Sequence, residues 1–173
     1  MPFATLLRHG LLYGVILSVA LSLITMGSLY WDAEMWLHDY PQDIIEAHGP
    51  MGPRAVSRKR WVGALFLVAL VAIVVWAIVA LHRLAPSRPT FIDVALVAMI
   101  VYMMFNAVDL LILDWLIFVW IRPRWIVLPG TEGCEGYADY GYHLRAAGKG
   151  VVFSLIGALV TAALTLLVRA VFA

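Results

Sequence analysis

Between residues 106 and 114, three polar side chains interrupt an apolar run that extends from residue 91 to residue 121. They are Asn106, Asp109 and Asp114, and the residues around them are almost all aliphatic or aromatic. An aspartate at the centre of a membrane-spanning helix costs about 2.5–3.5 kcal/mol, so each carboxylate must carry a proton, find a partner or serve a function. We therefore take these three residues as candidate catalytic groups. Asp114 lies nearer the end of the run and is the preferred one. A clamp between helices is the alternative role for Asp109.

A second group of candidate residues lies in the polar stretches on either side of the apolar runs. His38, Asp39 and His48 belong to the first stretch, and Asp139 and His143 belong to the second. Asp139 and His143 are four residues apart, which would place them on one face of a helical turn. Imidazole and carboxylate ligands together suit a divalent metal such as zinc, iron or manganese. For each histidine alone, the alternative is a solvated or interfacial side chain.

The second polar stretch also contains groups that suit a phosphate. Arg145 and Lys149 are cations four residues apart, and Tyr140 precedes them. Arginine and lysine side chains bind phosphate oxygens, which predicts a site for a lipid headgroup. Tyrosines that anchor the chain at the membrane surface are the alternative explanation.

The composition places all these residues in a membrane protein. Of 173 residues, 64% are hydrophobic and only 13% are charged, and the mean hydropathy is +0.92. Soluble domains contain about half apolar and about one quarter charged residues. A net charge of +1 offers no basic face for nucleic acid. Cys134 is the sole cysteine, which excludes an internal disulfide and a Cys-x-x-Cys motif.

Four apolar segments are long enough to cross a bilayer: residues 9–31, 61–84, 92–121 and 150–172. The first is longer than the hydrophobic part of a signal peptide, so we interpret it as a retained span. The expected fold is an all-α integral membrane protein, a single domain of four transmembrane helices with two long loops on the same side. In the first loop, residues 40–49 predict a short interfacial helix.

Small residues recur at every fourth position of the first and last spans, and such faces allow close approach of a second helix. They are Gly10, Gly14, Ser18 and Ser22 in the first span, and Gly150, Ser154, Ala158 and Ala162 in the last. We predict that these two spans pack against each other. The short connector after the second span predicts a hairpin of the second and third. In an α-helix, Asn106 and Asp109 share a face and Asp114 lies on an adjacent one.

The distribution of basic residues predicts the orientation. Eight Lys and Arg residues lie on the side of the two long loops and four on the other. The positive-inside rule then places the long loops in the cytoplasm and both termini outside, in a multi-pass cell membrane protein.

Three functions fit this pattern. The favoured one is an interfacial membrane enzyme or metal-site protein that acts on a lipid-soluble substrate, because the candidate groups cluster on one side. The second is a proton- or cation-coupled carrier or channel subunit that uses Asp109 and Asp114 and requires a homo-oligomer. The third is a structural subunit whose small-residue faces dock onto a larger membrane complex.

Overall fold

The computed structural model describes residues 1–85 and 88–172, and all regular secondary structure in that part of the chain is helical. Its α-helices are α1 (Phe3–Trp31), α2 (Gln42–His48), α3 (Pro53–Leu84), α4 (Phe91–Ile121) and α5 (Tyr140–Phe172). Short 3₁₀ segments cover Ala33–Asp39 and Glu135–Ala138. Four of the helices, α1, α3, α4 and α5, are long and apolar enough to cross a membrane. This confirms the predicted all-helical class with four candidate spans.

Two of the long helices begin well before the predicted spans. Helix α3 begins at Pro53, because proline at the first helical position has no amide hydrogen that needs a partner. Helix α5 begins at Tyr140, where the preceding Asp139 accepts a hydrogen bond from the Tyr142 amide at 2.9 Å. Residues 140–149, predicted as loop, are therefore the first turns of a helix, and this fixes the direction of His143.

Helix α4 lies between α1 and α5, which corrects the predicted pairing of the first and last spans. The small residues of α1 face bulky side chains of α4: a Cβ added at Gly14 would lie 2.7 Å from the Met104 Cβ. On α5, a Cβ added at Gly150 would overlap the Asn106 side chain of α4. Both small-residue faces thus accommodate α4, and α1 and α5 make few close contacts with each other.

The predicted hairpin of the second and third spans is only partly right. Helix α3 directly precedes α4 in the chain, but it packs chiefly against α1 and only lightly against α4. Leu17, Leu21, Val74, Leu81 and Val97 belong to the buried core that joins these three helices. Because α3 packs on α1 and α5 packs on α4, the sides of α3 and α5 that face each other remain apart.

The two long loops fold against each other and form a second apolar core. Tyr40 and Ile44 of the first loop are buried with Ile126 and Tyr137 of the second, over Phe118 of α4. Hydrogen bonds join the same loops, including one of 2.8 Å from the Gly136 amide to the Asp43 carboxylate. The short helix α2 exists, but its Ile44 faces this core instead of a membrane surface.

The second part of α4 is wound as a π-helix. From Asp109 to Ile121, the backbone hydrogen bonds join residues five apart instead of four. Residues five apart in sequence, such as Asp109 and Asp114, are therefore brought toward the same face. The helix ends at Arg122, whose φ of 44° is left-handed. Its guanidinium donates to the Tyr137 carbonyl at 2.8 Å and ties the end of α4 to the second loop.

Candidate functional site

A cavity of about 230 Å³ lies where α1, α4, α5 and the two loops meet. Three aspartates and one histidine line it, each predicted as a candidate functional residue: Asp39, Asp109, Asp114 and His143. Thr25, Leu29, Leu113 and Ala146 contribute to its walls. Residues that are far apart in sequence thus surround one small space at the loop end of the helices.

His143 and Asp114 form the only close contact between an imidazole and an aspartate in the described residues. The Nδ1 atom of His143 lies 3.1 Å from the Asp114 Oδ1, and the histidine side chain is 5% exposed. With Nδ1 donating to the carboxylate, Nε2 carries the lone pair that can accept a proton. This Nε2 is buried and has no hydrogen-bond partner in the part of the chain that is described. The arrangement suits general acid–base chemistry.

The π-helical winding of α4 explains why Asp109 joins Asp114 at the cavity. In a regular α-helix the two would lie on different faces, as the sequence predicts, whereas here both line the same space. Two of the hydroxyls that might have paired with Asp109 bond within their own helices: Ser18 donates to the Gly14 carbonyl and Ser154 to the Gly150 carbonyl. None of the hydrogen bonds between described residues involves the Asp109 carboxylate.

Asp39 lies at the solvent end of the site, where its side chain is exposed beside the cavity. Loss of solvation to the surrounding protein raises the pKa of Asp39, and the nearby charge of Asp114 also raises it. The Lys59 ammonium and His38 act in the opposite direction. Asp39 therefore holds its proton more readily than an aspartate in water.

Aromatic side chains close the site around the histidine. The Phe118 and Tyr142 rings lie edge-on to the His143 ring, with centroids 4.9 and 5.3 Å away. The Tyr142 hydroxyl donates to the Tyr40 carbonyl at 3.0 Å, and the Tyr40 hydroxyl donates to the Ile126 carbonyl at 2.9 Å. Burial raises the pKa of Tyr40, so this phenol stays a neutral donor. The network fixes both loops over the cavity.

Asn106, the third candidate in α4, lies outside the set that lines the cavity. Its Nδ2 donates to the Ala147 carbonyl of α5 at 3.2 Å. Gly150 leaves the room that this contact needs, because a Cβ there would overlap the Asn106 Oδ1. The contact is the interhelical clamp that the sequence suggested for Asp109.

The predicted metal ligands do not come together as one set. His48 lies 3.5 Å from Glu34, Asp139 pairs with Arg145 at 3.4 Å, and His38 is exposed. The backbone hydrogen bond from Tyr142 lowers the pKa of Asp139, so this carboxylate caps α5 as an anion. In the described residues there is no group of three or more His, Cys, Asp or Glu side chains placed to hold a metal.

The predicted headgroup residues lie on two different surfaces. Arg145 and Lys149 are exposed one turn apart on α5, and Arg145 is already paired with Asp139. Tyr140 instead packs edge-on against Trp115, with ring centroids 5.8 Å apart. The three side chains therefore do not form one pocket.

The first loop contributes more residues to the cavity than the sequence predicted. Trp36 and Tyr40 line it, and the Trp36 Nε1 donates to the Ser28 hydroxyl at 2.9 Å. Because both residues are aromatic, their sequence positions fit anchoring at the membrane surface as well as they fit a place in a cavity wall. The signal available in the sequence was the five-residue spacing of Asp109 and Asp114, which matches the hydrogen-bond step of a π-helix.

Comparison with known proteins gives no further assignment. No protein-family model, curated protein or solved structure matches this chain.

Proposed function

We propose that the chain crosses a cell membrane with its four long helices and carries an acid–base catalytic site at the loop end. His143 is the proton acceptor, Asp114 orients its ring and stabilises its charged form, and Asp109 is the second acidic group. The proposal extends to an enzyme that acts on a lipid-soluble or lipid-borne substrate. Its loops face the cytoplasm, as the distribution of basic residues predicts.

The observation that carries this proposal is the His143 imidazole. One nitrogen is held by a carboxylate at 3.1 Å, and the other is buried without a partner in a side chain that lines a cavity. A carboxylate on one nitrogen fixes the ring and leaves the other free for proton transfer. Buried polar atoms normally have partners, so an unpartnered one beside a cavity is a candidate contact for a substrate.

The size of the cavity limits what can enter it. At about 230 Å³, it is smaller than the ~300–1,000 Å³ of typical small-molecule sites. It suits the polar reacting group of a larger molecule whose apolar part remains in the bilayer. Proton transfer from that group, or from a water beside it, to His143 Nε2 is the step that these residues support.

A through-going carrier fits the sequence less well. No Asp, Glu, His, Lys or Arg occurs in residues 10–31, 61–81, 94–108 or 150–168. The titratable groups thus reach Asp109 from the loop end and stop there, which suits a closed site better than a relay across the membrane. A purely structural subunit is also less favoured, since both small-residue faces are already used against α4.

The test is conversion of lipids by the reconstituted protein. Vesicles of total membrane lipid extract, with and without the protein, are incubated and compared by untargeted lipid mass spectrometry. We expect a species that the wild type consumes and that the His143→Gln variant converts ~10²–10⁴-fold more slowly, the usual contribution of a general base. His48→Gln is the matched control, because His48 also faces a carboxylate but lies outside the cavity.

Two results would contradict the proposal. One is equal conversion by the wild type and His143→Gln. The other is no conversion by the wild type together with a proton flux across the vesicle membrane that Asp109→Asn abolishes, which would favour the carrier.

A further inference from the structure

A second, larger recess lies at the opposite end of the molecule. It is a groove of about 600 Å³ between α3 and α5, with Tyr102 of α4 in its floor. It exists because α3 packs on α1 while α5 packs on α4, which leaves the facing sides of α3 and α5 apart. Valine, leucine and isoleucine side chains make up most of its lining, among them Val74, Val75 and Val168.

The polar groups in the floor of this groove are satisfied within the protein. The Tyr102 hydroxyl and the Thr161 hydroxyl are 3.0 Å apart, and the Thr165 hydroxyl donates to the Thr161 carbonyl at 2.7 Å. The middle of the groove therefore offers an apolar surface with no free hydrogen-bonding group among these three side chains. A hydrocarbon chain fits such a surface.

One end of the groove is basic. His82 and Arg83 come from α3 and Arg169 comes from α5. Arg169 is held in place because its Nη1 donates to the Pro89 carbonyl at 2.7 Å, and its Nη2 is buried with no partner in the described chain. Asp93 lies four residues after Pro89, and its carboxylate forms an ion pair with the Met1 amino group at 3.0 Å.

His82 is also oriented by a hydrogen bond. Its Nδ1 lies 2.7 Å from the Ile78 carbonyl, which leaves Nε2 available. Arg83 is exposed. Among the residues that the structure describes, the groove thus ends in two guanidinium groups and one imidazole, and no carboxylate lines it.

We propose that this groove binds an anionic phospholipid, with an acyl chain along α3 and α5 and the phosphate on Arg83 and Arg169. From Leu70 to Arg83 the groove follows 13 residues of helix, or about 20 Å. One leaflet of hydrocarbon is about 15 Å thick, so the groove is long enough for a lipid tail and the headgroup beyond it. A guanidinium binds phosphate through two parallel hydrogen bonds.

This lipid site is separate from the proposed catalytic site. The groove contains His82, Arg83 and Arg169, whereas the cavity of His143 lies at the loop end of α4 and α5, the two helices that line both sites. The assignment therefore does not depend on any reaction at His143.

Native mass spectrometry tests the assignment directly. The purified protein is mixed with equal amounts of phosphatidylglycerol and phosphatidylcholine that have identical acyl chains, and the retained lipids are counted. We expect the wild type to keep one phosphatidylglycerol in preference to phosphatidylcholine. In Arg83→Gln and in Arg169→Gln the preference should fall about fivefold, the effect of removing one basic residue near an anionic lipid.

Three further variants separate this site from general lipid attraction. Arg8→Gln removes an exposed arginine of α1 that is outside the groove, and it should leave the preference unchanged. Val75→Trp fills the groove and should reduce retention of both lipids. His38→Gln, at an exposed position of the loop end that lines neither the groove nor the cavity, should have no effect. Since Arg83 is exposed, the Arg83→Gln variant keeps the test valid if loss of the Arg169 hydrogen bond disturbs folding.

Equal retention of the two lipids by the wild type would overturn the proposal. An Arg8→Gln variant that loses as much preference as Arg83→Gln would also overturn it. So would a lipid-free wild-type dimer that Val75→Trp dissociates, because the groove would then belong to a second copy of the chain.

Discussion

Two histidines of this protein each face a carboxylate, but their surroundings give them different roles. His143 lies 3.1 Å from Asp114 and lines the cavity, with its other nitrogen buried and unpartnered among the described residues. His48 lies 3.5 Å from Glu34, whose carboxylate also accepts the Gly52 amide just before α3. The second pair fixes the loop to the start of a helix. The second nitrogen of His48, Nδ1, is likewise buried and unpartnered among the described residues. The two histidines differ in that His143 lines the cavity, and this is why we propose His143 as the reactive one.

The residues of the cavity could be predicted in part from their chemical types. Asp109 and Asp114 are conspicuous because carboxylates are costly in an apolar span. Asp39 and His143 are conspicuous because they are titratable groups in the polar stretches at the loop end of that span. The roles of Asp139 and Asn106 could not be predicted. Asp139 caps α5 and Asn106 clamps α4 to α5, and both depend on where a helix begins or which neighbour it meets.

Asp39 should make stability depend on pH. Because its pKa is raised in the folded protein, the folded state binds a proton more tightly than the unfolded state, and stability falls as pH rises from the ordinary value of 3.8 through the raised one. At neutral pH, Asp39→Asn should therefore be more stable than the wild type, and the difference should vanish in acid. Thermal unfolding in detergent between pH 3 and pH 8 measures this.

Asp139→Asn supplies the control of opposite sign. The pKa of Asp139 is lowered in the folded protein, so the charged carboxylate stabilises the fold above the ordinary pKa. This contribution is lost as pH falls through the lowered pKa. The Asp139→Asn variant should be the less stable one at neutral pH. A pH-independent difference between wild type and Asp39→Asn would contradict the raised pKa of Asp39.

At the scale of elements, the second part of α4 determines the site. Its apolar sequence predicts a helix of the observed length but does not predict the π winding. The π-helical part makes tertiary contacts: Phe118 packs under Tyr40 and Tyr137, and Arg122 bonds to the second loop. Such contacts join residues that are distant in sequence, so local propensity does not reveal them. π-helical turns are common at functional sites.

The packing of α1 on α4 gives a prediction about glycine. In Gly14→Ala the new Cβ would meet the Met104 Cβ at 2.7 Å, and neither atom can rotate away, so the helices must separate. Overpacking of this kind costs about 1–3 kcal/mol. We expect a lower unfolding midpoint in a denaturing-detergent titration.

Gly27→Ala in the same helix is the matched control. Apart from its chain neighbours and the backbone of its own helix, no atom of the described residues lies within 4 Å of a Cβ at this position, and alanine is a better helix former than glycine. Its unfolding midpoint should equal or exceed that of the wild type. Equal destabilisation by Gly14→Ala and Gly27→Ala would show that α1 does not pack on α4 through Gly14.

The whole molecule has two dissimilar ends. At the loop end, two loops share an apolar core above a cavity that contains three carboxylates and a histidine. At the other end, the facing sides of α3 and α5 form a groove with two arginines and a histidine. The number of spans follows from hydropathy, whereas the order of packing does not. Small residues at every fourth position indicate a close neighbour without identifying it, and the neighbour is α4 for both α1 and α5.

Labelling of intact cells tests the predicted orientation. In a Cys134→Ser background, we expect Phe3→Cys near the N-terminus to react with a membrane-impermeant maleimide, because four basic residues on that side are outnumbered by eight on the other. Glu132→Cys in the second loop should react only after permeabilisation. Both positions are exposed in the fold. The reverse pattern would place the loops outside the cell.

The central claim is that Asp114 holds His143 so that Nε2 is free beside the cavity. Nitrogen NMR of the ¹⁵N-histidine-labelled protein measures it, with His143→Gln used to assign the signal. We predict that neutral His143 is protonated on Nδ1 and that Asp114→Asn shifts its signals, while Glu34→Gln leaves them unchanged. A neutral His143 protonated on Nε2, or signals that do not respond to Asp114→Asn, would contradict the account.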